Sequence, residues 1–284
     1  MARPLIVRLV PAVLAGVLAA GAARAADMPV YHFSPVNQYN LQVSASFWNP
    51  IIRYVSSRSG VPLDLKLGRT QADTTSYVLA REVDFAFTNH LFNRERARLG
   101  WTVFGRRDGP PLQGQIVVPA DSPVRSLADL AGGAVGFPGP EAVVAYKVTY
   151  AELLRQHIAV DVVFATNMDG AFTQLFTGKV KAVGANSQLV QNYSGRERKS
   201  FRVLWRSEPF SDLALMASPR VPADQVRAVA QAFIGMDKDP EGRRILGAAA
   251  ALVHAGTPLA FVAASDADYA DYRAFHAAAP LAVR

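Results

Sequence analysis

The stretch AVGFPGPEAVVAYKVTYAEL, residues 134–153, decides how this chain is read. AVGF is a short apolar strand, Pro138, Gly139 and Pro140 end it, and the residues after them open a helix. A strand–loop–helix junction suits an anion, because unpaired backbone N–H groups and the positive end of the helix dipole emerge together. Here the first turn offers Glu141, Ala142, Val143 and Val144, with no hydroxyl, Lys or Arg among them. The junction has an anion site's backbone pattern without its usual side chains.

Working outward, strand-like and helix-like segments alternate. MPVYHFSP is a strand, followed by a helix over 41–59 with Phe47, Ile51, Tyr54 and Val55 at helical spacing and a stop at Gly60. VPLDLKL alternates as a strand, 70–82 reads as a helix, and VDFAFTN is apolar enough for a parallel strand buried on both faces. QGQIVVP is a strand, and SLAD lets Ser126 cap a short helix with Asp129 at its third position. Beyond the junction come VDVVFA, a helix over 169–177, KVKAVGA, the strands FRVLWRS and DLALMAS, the amphipathic helix VPADQVRAVAQAFIGM and a helical tail with Pro280 near its end. This alternation is α/β with parallel sheets. In such sheets ligands bind beyond the carboxyl ends of strands, which singles out the loops 34–40, 68–74, 88–92, 138–144, 166–169 and 184–187.

The chain begins with a charged segment (Arg3, Arg8), an apolar run over 9–22 and the A-x-A signal Ala23-Arg24-Ala25. This reads as a secretory leader over 1–25, cleaved after Ala25, because the apolar run is shorter than the ~20 residues of a spanning helix. Removing its three arginines takes the net charge from +7 to +4. The remaining Lys and Arg are scattered among acids with no aromatic-interleaved stripe, which argues against nucleic-acid binding. There is no cysteine, hence no disulfide framework and no lipidated cysteine.

Catalytic and metal chemistry lack their patterns. SRSG and NYSG are not G-x-S-x-G elbows. His32, His157, His254 and His276 are isolated, with no ligand spacing and no acidic calcium-type loop. The chain is read as a non-enzyme without metal or cofactor.

WNPIIRYVSSRSG (48–60), EVDFAFTN (82–89), ADSPVRSLADLAGGAVGFPGP (120–140), GKVKAVGANS (178–187) and FRVLWRSEPF (201–210) occur in an order that resembles a known family. The chain looks like the periplasmic solute-binding proteins for phosphate, phosphite and phosphonate of ABC transporters, over residues 30–246. The resemblance implies a type II periplasmic binding fold, two α/β lobes closing on a ligand. One lobe would take 26–113 plus 207–284 and the other 114–206, with crossing strands near 113–117 and 205–211. It further implies a monomer in the periplasm that delivers a small oxyanion or phosphonate-like solute to an inner-membrane ABC permease. The alternative is a ligand sensor read by a membrane histidine kinase, or a binding protein whose ligand is not a phosphorus oxyanion.

By position in the resemblance, Tyr39, Gln71, Thr88, Asn89 and His90 would face the ligand from the first lobe. From the second lobe the candidates are Ala142, Val143, Val144, Tyr146, Asn167, Met168 and Asn186. Relatives carry Ser and Thr where Ala142, Val143 and Val144 stand, and a histidine where Asn167 or Met168 stands. A lost hydrogen bond to a charged group costs about 1.5–3 kcal/mol. The junction therefore suits a ligand with an apolar portion, or a less charged one. Lys181 is read as a surface residue, though it is the one cation placed to reach an anion from the strand before Asn186, and Glu141 is read as solvated.

Overall fold

The computed structural model describes residues 29–283, so the expected leader and its cleavage after Ala25 lie outside the described residues. Helix α1 (Leu41–Ser59) shows how local sequence sets the elements. The Asn40 side chain accepts from the Val43 N–H (2.9 Å), and Gly60, at φ 68°, caps the other end by donating to Ser56 O. Its buried face, Phe47, Trp48, Ile51, Tyr54 and Val55, packs into an aromatic core in which Trp48 lies 5.2 Å from both Phe33 and Phe87.

The first sheet is six-stranded. It joins β1 (Tyr31–Pro35), β2 (Leu63–Leu65), β3 (Phe85–Thr88), β4 (Thr102–Asp108), β10 (Ala214–Ala217) and β11 (Ala260–Val262) in the order β11-β4-β10-β3-β1-β2. The second joins β5 (Leu112–Pro119), β6 (Ala134–Phe137), β7 (Asp161–Phe164), β8 (Ala182–Asn186) and β9 (Phe201–Phe210) in the order β7-β6-β8-β5-β9. Helices α2 (Asp73–Leu79), α3 (Thr149–Arg155), α4 (Met168–Phe176), α5 (Ser187–Glu197), α6 (Ala223–Ile234), α7 (Pro240–Val253) and α8 (Ala270–Ala278) complete the chain.

The sheets are mixed, which corrects the all-parallel expectation. β1 is parallel to β2 and β3, and β6 to β7 and β8; β10 runs antiparallel to β3 and β4, β11 to β4, and β5 to β8 and β9. The reason is connectivity. β5 follows β4 through a short loop with no crossover helix, and β9 returns beside it, Leu112 opposite Phe210 and Pro119 opposite Phe201. Two other expectations shrink. The helix over 70–82 is only Asp73–Leu79, because the Asp73 carboxylate takes the N–H groups of Arg69 (2.6 Å) and Thr70 (2.9 Å) and holds them in a turn. SLAD is a 3₁₀ turn, Ala128–Leu130, in which Asp129 reaches back to the Ser126 N–H (2.9 Å), one arm of the expected capping box, and also takes the Arg125 N–H (2.8 Å). The tail holds the strand β11 as well as helices.

The junction is seated on the second sheet at two glycines. After β6 the chain makes a π-helical turn, Val143–Val148, that runs into α3. A Cβ at Gly184 would run into Ala145 O and lie 2.5 Å from Phe137 Cε1 and Thr149 Oγ1; one at Gly114 would lie 2.9 Å from Val144 O. Only glycine lets the carbonyls of this turn rest on β5 and β8. We expect Gly184→Ala to cost about 1–3 kcal/mol through overpacking, a fall in Tm of roughly 2–4 °C per kcal/mol. Gly247→Ala, on α7 with nothing within 4 Å of the new methyl, should leave stability unchanged or raise it. Circular-dichroism melts compare the two; equal Tm values would show that the turn does not need its close seat.

Candidate functional site

Between the two sheets lies a cavity of about 40 Å³, room for a few water molecules at roughly 10–15 Å³ each. The loop after β1 supplies Val36, Asn37 and Gln38; the α2 entry supplies Gln71; the end of β3 supplies Asn89 and His90. The junction after β6 supplies Pro138 and Ala142, Val143, Val144 and Ala145, and Met168, Asn186, Leu189 and Leu213 close the rest. These segments sit at carboxyl ends of parallel strands, the general ligand position of open α/β sheets.

The N–H groups of Val143, Val144 and Ala145 have no backbone acceptor in the described chain; the bonds of the turn begin with Tyr146 and Lys147 donating to Ala142 O (3.0 Å each). This is the donor set that a helix start leaves open. The side chains around it are apolar, and none of the lining residues carries a formal charge. Nearby charges are matched across the structure. Arg96 grips both carboxylate oxygens of Glu141, its Nη2 3.0 Å from Oε1. Glu141 is thus a partly buried partner of the first sheet's Arg96, which corrects its reading as solvated. Burial pushes the Glu141 carboxyl up, but the Arg96 hydrogen bonds and the positive charges of Arg96 and Lys147 together hold it below the usual range. Lys147 is buried, and burial lowers its ammonium pKa against the pull of Glu141. Arg107 and Asp212 form a buried bidentate pair (2.7 and 3.0 Å) beside Leu213.

On the first sheet's side a buried chain of side chains runs from α2 to the cavity. Thr75 Oγ1 lies 2.8 Å from His90 Nδ1, and Gln71 Nε2 lies 2.8 Å from His90 Nε2. Burial lowers His90 to about 3, so the imidazole is neutral. The outer amide atom of Gln71, Oε1, is buried without a hydrogen-bond partner.

Of the residues singled out in the sequence, Gln71, Asn89, His90, Ala142, Val143, Val144, Met168 and Asn186 meet at this cavity. Asn186 also caps α5, its oxygen accepting from Leu189 N–H (2.8 Å), and the Asn89 amide donates to the Tyr272 hydroxyl (3.1 Å). Four others do not line it. The Tyr39 hydroxyl accepts from Asn192 (3.1 Å), Thr88 Oγ1 accepts from the His90 N–H (3.0 Å), and Asn167 caps α4 through Gly170 N–H (2.9 Å). Tyr146 stacks on Tyr150 and meets Phe137 and Phe164 edge-on, because the wide π-helical turn points it to the aromatic cluster. Lys181 precedes β8, at the end opposite Asn186, and covers Gly133 on the surface, so it does not serve the cavity. Leu189, Leu213 and Ala145 were missed; nothing marks an apolar residue as cavity lining until the two sheets are brought together. Among the described residues no group of three or more His, Asp or Glu could hold a metal ion.

Two mixed α/β sheets, joined by a pair of adjacent strands and enclosing a cavity at their strand ends, define a type II periplasmic binding protein. The chain belongs to the family described as the periplasmic phosphonate substrate-binding proteins of ABC transporters, whose model matches residues 33–269. Among solved structures it is similar to a binding protein component of an ABC phosphonate transporter from Pseudomonas aeruginosa (16% identity, 85% of this chain and 83% of that one, TM-score 0.73). It is similar also to PhnD1 from Prochlorococcus marinus in complex with methylphosphonate (14% identity, 86% and 95%, TM-score 0.73). A third is the alkanesulfonate-binding protein from Xanthomonas axonopodis pv. citri bound to MOPS (16% identity, 91% and 97%, TM-score 0.62). At such identities these likenesses speak for the fold alone. No curated protein matches the chain in sequence. The family is the substrate-binding, non-enzymatic component of its transporters and works in the periplasm.

Proposed function

We propose that this chain binds a small oxyanion bearing an apolar substituent, of the alkylphosphonate kind, and delivers it as a monomer to an inner-membrane ABC permease. The observation that carries this reading is the trio of unbonded N–H groups at Val143, Val144 and Ala145 on the wall of a cavity whose lining carries no formal charge. Backbone donors survive any side-chain replacement, so they serve where relatives use hydroxyls. The methyl groups of the two valines then meet the substituent. In this reading the lobes are 26–113 with 207–284, and 114–206, and β5 and β9 act as the hinge. The leader is removed after Ala25, and nucleic acid is no partner.

Three links between the sheets' loops support closure as the working motion: Gln71 N–H to Thr166 O (3.0 Å), Asn40 N–H to Asp169 (3.4 Å) and the Arg96–Glu141 pair. A solute enters only when these part. The test is a thermal-shift panel on the chain from residue 26 with methylphosphonate, phosphite, phosphate, sulfate and neutral organic solutes. A ligand specific to the folded state stabilises it by about 4 kcal/mol at a thousandfold excess over Kd, a rise of roughly 8–16 °C. We expect that rise with methylphosphonate and less with phosphate. A rise with a neutral solute and none with any phosphorus oxyanion overturns the ligand class.

A further inference from the structure

Thr75, His90 and Gln71 are each at most 5% exposed, and their hydrogen bonds form a single file ending on the cavity wall. A neutral imidazole has one N–H and one lone pair, so the file has a direction. Among the described residues Thr75 Oγ1 has no partner but His90 Nδ1. A buried hydroxyl hydrogen without an acceptor is costly, and the Nδ1 lone pair is the acceptor at hand. That places the imidazole proton on Nε2, where it needs an acceptor in turn. The group facing it is the Gln71 amide, whose oxygen and nitrogen exchange places on a half-turn of the terminal torsion. With Oε1 against His90, every bond in the file joins a donor to an acceptor. With Nε2 against His90 the proton is forced onto Nδ1 and the Thr75 hydrogen has no acceptor; the outer amide position is buried without a partner in the protein either way, so the Thr75 hydrogen decides.

We infer that Thr75 is a positioning residue: through the His90 tautomer it turns the Gln71 NH₂ outward, as a donor to a ligand oxygen. The outer amide atom lies beside Gly139, 3.2 Å from where a Cβ would stand, on the rim of the turn that carries the unbonded N–H groups. The first lobe thereby adds a side-chain donor to the backbone donors of the second. An oxygen-rich solute touches both only when the lobes close, and a cationic solute finds no carbonyl there. The inference rests on the cavity being the solute site.

The test has two independent arms. In ¹⁵N-histidine-labelled protein at neutral pH, with His90 assigned through a His90→Gln variant, we expect His90 as the Nε2–H tautomer. Thr75→Ser should preserve it, and Thr75→Val, nearly isosteric, should convert it to Nδ1–H. Methylphosphonate titration calorimetry should then show about 10- to 100-fold weaker binding in Thr75→Val, the value of a hydrogen bond to a charged group, and little change in Thr75→Ser. An Nδ1–H tautomer in the parent protein, which needs no variant to fold, overturns the relay. So does a tautomer unmoved by Thr75→Val. A tautomer that switches while methylphosphonate affinity stays constant overturns the donor role. Correct tautomers with no methylphosphonate binding in any of the three proteins would leave the relay standing and overturn the proposed ligand class instead.

Discussion

Asp212→Asn is expected to destabilise the protein by about 3–5 kcal/mol, the effect of stranding a buried charge, and to lower Tm by roughly 6–20 °C. Both side chains of the Arg107–Asp212 pair are 4% exposed, and the guanidinium has nowhere to find water once its carboxylate is gone. It sits over the Phe87 ring, 4.9 Å from the centroid, and its remaining polar contacts are weak substitutes: Gln188 Oε1 at 3.0 Å and the neighbourhood of the Tyr39 hydroxyl. The pair also matters to the site. Asp212 accepts from the Leu213 N–H (2.7 Å), and Leu213 lines the cavity, while Gln188 belongs to α5 of the second sheet. The net value of an intact buried pair is small because both ions have been desolvated, so the double variant Arg107→Met/Asp212→Leu should recover most of the loss. Denaturant melts of the parent, single and double variants measure this. A single variant within about 2 °C of the parent would mean that the pair is solvated in solution.

Acid should destabilise the fold well before its carboxylates titrate. Burial lowers His90 to about 3 and His276 to about 4, from a usual 6.5. Both histidines are neutral in the folded chain, and both nitrogens of His276 lack hydrogen-bond partners. Lys147 and Arg96 oppose a proton on either ring, and Glu141 favours one without prevailing. Below pH 6.5 the unfolded chain takes up a proton at each histidine that the folded chain refuses, so stability falls as pH falls. The slope is at most about 1.4 kcal/mol per pH unit for each group. Together they remove about 3–5 kcal/mol between pH 6.5 and 4.5, allowing for the incomplete burial of His276. His276 stops contributing near pH 4 and His90 near pH 3. Above 6.5 neither group makes a difference. Urea midpoints at a series of pH values show the slope, and His276→Phe should reduce it by about half. A midpoint that stays level from neutrality to pH 5 would mean that these rings reach water in the folded chain.

Local sequence is enough for residues whose partners lie within a turn or two. Asn40 and Gly60 bracket α1 because a cap and a left-handed residue act on the nearest backbone groups, and β3 reads as buried because Phe85, Ala86 and Phe87 are apolar in succession. The family motifs and the strand–loop–helix junction at 134–153 belong here too, and with them the expectation that Gln71, Asn89, His90 and the residues after Glu141 share one place. Tertiary structure decided what depends on contacts far apart in the chain. β4 could not be read as a strand, since its Arg107 is tolerable inside only because Asp212 comes back to meet it. Strand direction in the mixed sheets follows from how β5 and β9 pair across about ninety intervening residues, where local periodicity is silent. Tyr146 turned to the aromatic cluster because Gly114 and Gly184 let a π-helical turn settle on the sheet, and Glu141 left solvent because Arg96, from the loop after β3, pairs with it. Local sequence sets propensity and caps over a few ångströms; burial, charge pairing and the polarity of a hydrogen-bond file exist only once distant segments have excluded the water between them.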